Sequence, residues 1–224
     1  MRDSLLLLLL SSAAALCADA ALESARNRQD RPALEKAGAA RAKAAKSAPG
    51  HYETALAYSY LSEVALELRD KRQARSAAEL GIAAAKSAIK LEPSNAEFHR
   101  LLGTLCGQVI PADPMAGFQH GRCAKEEIEK ALQMNPKSAL GWVSSGVGKF
   151  YLPAMLGGGV DLAMKDFQKA AAIDPKLAEA WLWIGLAHRK GNRNADARQA
   201  LQKAKSLNPD RIWIQQQLEK TPAQ

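Results

Sequence analysis

Four prolines punctuate the chain at Pro93, Pro136, Pro175 and Pro209, separated by 43, 39 and 34 residues. Each closes the same kind of segment, and this recurrence restricts the fold more than any other feature. The plainest copy runs from Ala178 to Pro209. Trp181 and Gly185 stand one helical turn apart, with Ile184 and His188 continuing the same face. Ala197, Leu201 and Ala204 then step by four and three along a second face. Gly191-Asn192 marks a turn between the two helices. Gly185 and the alanines let antiparallel helices approach closely, and Pro209 ends the second helix because it cannot continue the hydrogen-bond ladder.

The preceding segment repeats this set with Trp142, Gly146, Ala163, Phe167, Ala170 and Pro175. One segment earlier the set is His99, Gly103, Ala124, Ile128, Ala131 and Pro136, and a half-match precedes it at Gly81, Ala85, Ala88 and Pro93. Relative to the last copy, the two middle intervals are longer by nine and five residues. The steps Gly103 to Ala124, Gly146 to Ala163 and Gly185 to Ala197 are 21, 17 and 12, which differ by the same nine and five. Both insertions therefore fall in the turn inside a hairpin, where a loop grows without disturbing packing.

These patterns predict an all-α chain, a right-handed superhelix of three to four helical hairpins. They span residues 51–93, 96–136, 139–175 and 178–209, and a capping helix follows over 210–220, with Ile212, Trp213 and Leu218 inward. Residues 21–50 read as a basic, alanine-rich helical segment, broken at Pro49-Gly50. Hydrophobic residues make up 47% of the chain and aromatic ones only 5%, which argues against a β-sandwich or barrel and fits alanine-rich helices.

Residues 1–20 read as an export signal. Arg2 precedes the leucine run Leu5 to Leu10, and Ala18-Asp19-Ala20 places small residues at the cleavage positions. The expected mature start is Ala21, in a periplasm or as a secreted protein. Leu16 beside Cys17 makes a poor lipid-attachment site. Loss of residues 1–20 would leave 30 basic and 21 acidic residues, a net charge of +9 against +8 for the precursor. That charge reads as a solvated basic surface and also suits peripheral contact with an anionic membrane surface. The export signal and the lack of a nucleic-acid-binding motif disfavour a nucleic-acid partner.

Candidate chemistry is sparse. His51, His99, His120 and His188 form no metal-ligand spacing, and no serine stands in a G-x-S-x-G elbow, so neither a metal nor a catalytic residue is expected. Glu126, Glu127 and Glu129 read as a solvated face. Gly157-Gly158-Gly159 reads first as a tight turn with positive φ, and second as an anion cradle at a helix start. Cys106 and Cys123 flank the longer insertion on facing helices. They either form a disulfide closing a 17-residue step in an oxidising compartment or remain buried thiols.

The repeated residues resemble the tetratricopeptide repeat superfamily over residues 81–209. The pieces Ala88-Ile89-x-Leu91-x-Pro93, Lys130-Ala131-Leu132-x-Met134-Asn135-Pro136 and Leu152-Pro153-x-x-Leu156-Gly157-Gly158 resemble a long-insert branch of it. That branch includes regulator-of-microtubule-dynamics proteins, exported bacterial repeat proteins and components associated with TRAP-type transporters; the leader favours the exported kind. The resemblance implies a concave groove lined by first-helix residues. Here these are Leu140, Val143, Val147, Phe150 and Tyr151, then Leu182, Leu186, Arg189 and Lys190, with Glu97, Arg100 and Thr104 earlier. Such a groove takes a protein or peptide, with apolar contacts for affinity and basic residues for orientation. The expected function is a non-enzymatic scaffold of the cell envelope without a cofactor. A transporter accessory binding a small molecule would need a closed apolar bore instead. A microtubule-associated adaptor would need an uncleaved N-terminus.

Overall fold

The computed structural model describes residues 20–223, and the expected leader lies outside them apart from its last residue. Among the described residues the chain is helical, without strands. Helix α1 covers residues 20–27. The others are α2 (Arg31–Ala44), α3 (Ala48–Glu67), α4 (Lys71–Leu91), α5 (Ala96–Ala112), α6 (Gly117–Met134), α7 (Ala139–Tyr151), α8 (Val160–Ile173), α9 (Ala178–Lys190), α10 (Asn194–Leu207) and α11 (Ile212–Glu219). None is long and apolar enough to cross a membrane.

Side chains start several of these helices. Asp30, Ser47, Asp70, Asn95 and Ser138 each accept a hydrogen bond from a backbone N–H in the first turn. Ser47 sets the start of α3 at Ala48, so Pro49 sits inside the first turn, where a missing N–H costs nothing. Pro49-Gly50 therefore opens a helix and does not merely break one. The four repeat prolines lie just past the ends of α4, α6, α8 and α10.

The helices pack as consecutive pairs. A Cβ on Gly146 would run into the Phe167 ring, and one on Gly185 would stand 2.6 Å from Leu201, so these helices meet at a separation only glycine allows. The Trp142 and Trp181 indoles donate to the carbonyls of Pro136 and Pro175, each at 2.9 Å. His99 holds the same repeat position and contacts Pro93 O through Nε2 at 2.9 Å. One core cluster joins α7 through α11 around Phe167, Leu201 and Ile214, and others join the helices before them.

The N-terminal segment differs from expectation. The helix expected from Arg31 is α2, and it is preceded by a further helix, α1, and followed by the start of α3 at Ala48. The α1–α2 turn has the same form as the α3–α4 and α9–α10 turns. Gln29, Arg69 and Asn192 adopt φ of 57°, 63° and 57°. The next residue's N–H then bonds the carbonyl five back, Asp30 to Ala25, Asp70 to Ala65 and Arg193 to His188. Helices α1 and α2 thus form a hairpin of the repeat type, packed through Leu22 and Leu34 against Leu61 and Val64 of α3. In α11 Trp213 and Leu218 pack on the core as expected, Ile214 and Gln217 are buried with them, and Ile212 is exposed.

Candidate functional site

The first helices of the hairpins line the inner face, and polar side chains there pair with one another. Arg100 donates to Glu97 from the same helix and lies 3.4 Å from Ser144 Oγ of α7, and Thr104 meets Ser144 at 3.0 Å. The Tyr52 hydroxyl donates to Glu97, and its pKa is pushed up by burial and by that carboxylate. Glu97, Arg100 and Thr104, expected as groove residues, are thus engaged within the chain.

Towards the ends of the stack this polar layer closes on itself. Arg26 of α1 donates to both carboxylate oxygens of Glu63 at 2.8 and 2.9 Å and to Glu179 of α9 at 2.7 Å. Its guanidinium also lies 4.7 Å from the centre of the Tyr60 ring. Arg211, just before α11, is 2% exposed; it bonds Arg26 O, Glu63 and Glu67. Gln29 meets Gln216, and Asn208 donates to Asn27. Burial alone would raise the Glu63 carboxyl, but Arg26 and Arg211 outweigh it and hold it well below the usual range. Glu67 is pushed up, first by burial and then by the charge of Glu63. The first hairpin and the last helix are therefore tied together across the molecule.

An open cavity of about 350 Å³ lies where the C-terminal ends of α7 and α9 meet α11. Phe150, Tyr151, Leu186, Arg189, Lys190, Trp213 and Gln217 line it. Five of the nine expected partner-binding residues converge here. Of these, Phe150 and Leu186 are buried members of the core that reach the lining; of the others, Val143 and Leu182 belong to the same core without reaching it, Val147 packs against it, and Leu140 is exposed away from this lining. Phe150, Tyr151 and Phe167 pack with Trp183, and Trp183 packs with Trp213, at centroid separations of 5.6 to 6.1 Å. Tyr151 is 63% exposed.

The two cations are held by neutral groups. Arg189 donates to Gln217 O and Oε1 and to Thr221 Oγ1, and burial lowers its pKa. Lys190 donates to Phe150 O at 2.7 Å and lies over the Phe150 ring. Both thus tie helix C-termini to α9, where a cation is favoured. Trp213 and Gln217 were missed because the cap helix was read only as a cover. The dense aromatic supply around Trp181-Leu182-Trp183 was the available hint.

The remaining expectations sort simply. Cys106 and Cys123 are joined, with Cα atoms 6.0 Å apart. Glu127 corrects the solvated-face reading: it meets His99 Nδ1 at 2.5 Å, while Glu126 and Glu129 stay exposed. Gly157 and Gly159 have φ of +86° and +112°. The N–H groups of Gly157, Gly158 and Gly159 all bond local carbonyls, so they offer no anion cradle. Among the described residues no cluster of His, Cys, Asp or Glu is placed to hold a metal.

A family model described as Regulator of microtubule dynamics protein 1-3 matches residues 14–155. The chain belongs to this family. It is one of the branches that the sequence resembles, and a tetratricopeptide repeat model also matches residues 178–211. Regulator of microtubule dynamics protein 3 of Rattus norvegicus is 26% identical over 173 residues, covering 70% of this chain and 36% of that protein. Its counterpart in Mus musculus is 26% identical over 176 residues, covering 71% and 37%. The chain thus spans little more than a third of the length of the curated relatives it matches. A thermophilic tetratricopeptide protein of Thermus thermophilus shares the fold, with a TM-score of 0.56 at 18% identity, over 99% of this chain and 98% of that one.

Proposed function

We propose that this member of the regulator-of-microtubule-dynamics family is a non-enzymatic interaction scaffold whose partner docks at the α7, α9 and α11 cavity. The carrying observation is the exposed Tyr151 beside Phe150 and Trp213 at the mouth of an open recess. Rigid aromatic side chains give large contact area at low entropic cost, which suits a protein or peptide anchor. Arg189 and Lys190 leave the rim positive, since the groups holding them are neutral. The inner-face pairs of Arg26 with Glu63 and Glu179, and of Arg100 with Glu97, favour this reading over a small-molecule carrier, which needs an apolar bore.

The proposed location is the cell envelope or exterior. The Cys106–Cys123 bond supports this, because disulfides persist in oxidising compartments, and so does the leader-like pattern of residues 1–20. Intact mass of the protein from its native host tests it: a mass beginning at Ala21 fits export, and retention of Met1 rejects it. The family name of the relatives favours a second reading, a microtubule-linked adaptor, which co-sedimentation with assembled microtubules tests directly.

Docking is tested by cross-linking in the native host with wild type and Tyr151→Ala. The Tyr151 ring is mostly exposed and touches Phe150 and Trp183 only edge-on, so a partner of the cavity is lost from the variant with at most a small fall in melting temperature. Equal yields of every cross-linked species from both proteins would reject the cavity as the docking site.

A further inference from the structure

Arg26 is held as a ligand is held. Glu63 of α3 grips its guanidinium with both oxygens, at 2.8 and 2.9 Å, and Glu179 in the first turn of α9 adds a third contact at 2.7 Å. Tyr60 of α3 offers its ring face at 4.7 Å. Glu23, on α1 itself, completes the shell at 3.3 Å and also accepts from the Tyr60 hydroxyl. A planar fork against one carboxylate, a second carboxylate beside it and an aromatic face match a guanidinium and not an ammonium.

Helix α1, which delivers this group, is short and is held mainly by polar contacts, including Arg211 to Arg26 O and Asn208 to Asn27. It has eight residues, far below the length at which a helix is stable alone. Its buried apolar anchors are Leu22 and Ala25, and the rest of its inward surface is polar. Helix α2 has its own anchor in Leu34, which is fully buried in the cluster that includes Leu61 and Val64 of α3. Departure of α1 removes Arg26 and Glu23 together. Glu63 and Glu67 would keep Arg211, whereas Glu179 would lose Arg26, the cation it pairs with, so the recess is left short of positive charge.

We propose that Glu63, Glu179 and Tyr60 form an arginine-binding recess, filled in this structure by the chain's own Arg26, and that an arginine-bearing segment of a protein partner occupies it by displacing α1. The proposal rests on the scaffold reading but not on the α7, α9 and α11 cavity, which lies on other residues. Helix α1 then acts as an internal competitor: the inner face opens only to a segment that replaces its contacts.

The test is chemical rescue of Arg26→Ala in the full chain, with N-acetylarginine amide as probe and N-acetyllysine amide as the control of equal charge. Thermal melts followed by circular dichroism should show the arginine probe raising the melting temperature of R26A by several degrees more than that of wild type. The lysine probe should produce no such difference, and adding Glu179→Gln should abolish the rescue. A folded R26A that responds equally to both probes, or no more than wild type, makes Arg26 a purely structural ion-pair partner and overturns the proposal. Should R26A fail to fold, hydrogen exchange on wild type decides. The arginine probe should then speed exchange of the α1 amides over residues 21–27 relative to the lysine probe, and equal rates overturn the proposal. Failure of cross-linking at Tyr151 leaves this result untouched, so the two readings fail separately.

Discussion

At the scale of single residues the fold depends on a few close fits. Phe167 has no exposed surface and lies directly under Gly146 and against Trp183. Phe167→Ala removes a ring that no neighbour can replace, so it should cost about 3–5 kcal/mol in chemical denaturation. A loss below about 1 kcal/mol would mean that the α7–α8 contact is not what holds this part of the stack. Such positions were legible in the sequence because the glycine and its partner recur at fixed spacing. His99 was legible only in part: its repeat position announced packing, but its contact with Glu127 depends on how α6 is rotated after the longer insertion. Val143 and Leu182 were misread as groove residues because periodicity identifies an inward face without separating core from open surface.

At the scale of elements, turns and insertions set the stack. The first hairpin was hidden because its turn places Gln29 in the left-handed region, as the next places Arg69. Neither residue signals such a turn as glycine or asparagine would. The long α5–α6 connection was legible from spacing alone, and its disulfide gives it a measurable role. Closing a loop of this size restricts the unfolded chain and contributes about 3 kcal/mol on the chain-entropy account. Denaturation of wild type with and without a reductant should therefore differ by up to about that amount, while Cys106→Ser with Cys123→Ser shows no reductant dependence. Reduction that leaves the midpoint unchanged would mean the bond adds nothing to folding. In the shorter insertion, a Cβ on Gly158 would collide with the Leu152 carbonyl. Gly158→Ala must therefore move that backbone, and the expected result is a lower melting temperature with the α7 and α8 helices retained.

At the scale of the whole molecule the deciding feature is closure, and it was not legible in the sequence. Arg26, Glu63, Glu179 and Arg211 meet only because the displacement of each hairpin accumulates around the stack. No local pattern links them. Closure has a pH signature because Glu63 and Glu67 are shifted in opposite directions. The Glu63 carboxyl, which burial would raise, is brought by Arg26 and Arg211 to about 2 from an ordinary 4.5. A carboxylate lowered by folding stabilises the native state above its unfolded pKa, and that contribution is lost as pH falls from about 4.5 to about 2. Glu67 is raised to about 7, by burial first and by Glu63 next, against Arg211. Its contribution runs the other way: it is complete below about 4.5 and lost as pH rises towards 7. The two windows adjoin: the lower one reports Glu63, and the upper one reports Glu67 together with the Glu63 charge that helps to raise it. Unfolding free energies of wild type and Glu63→Gln should converge as pH falls from 4.5 to 2. Glu67→Gln should instead flatten the decline between 4.5 and 7. Glu23, Glu179 and the Tyr60 hydroxyl face the same cluster and remain in both variants. A wild-type minus Glu63→Gln difference that stays constant down to pH 2 would mean that Glu63 is not held ionised by the two arginines, and that closure rests on the apolar contacts of α1 and α11 alone.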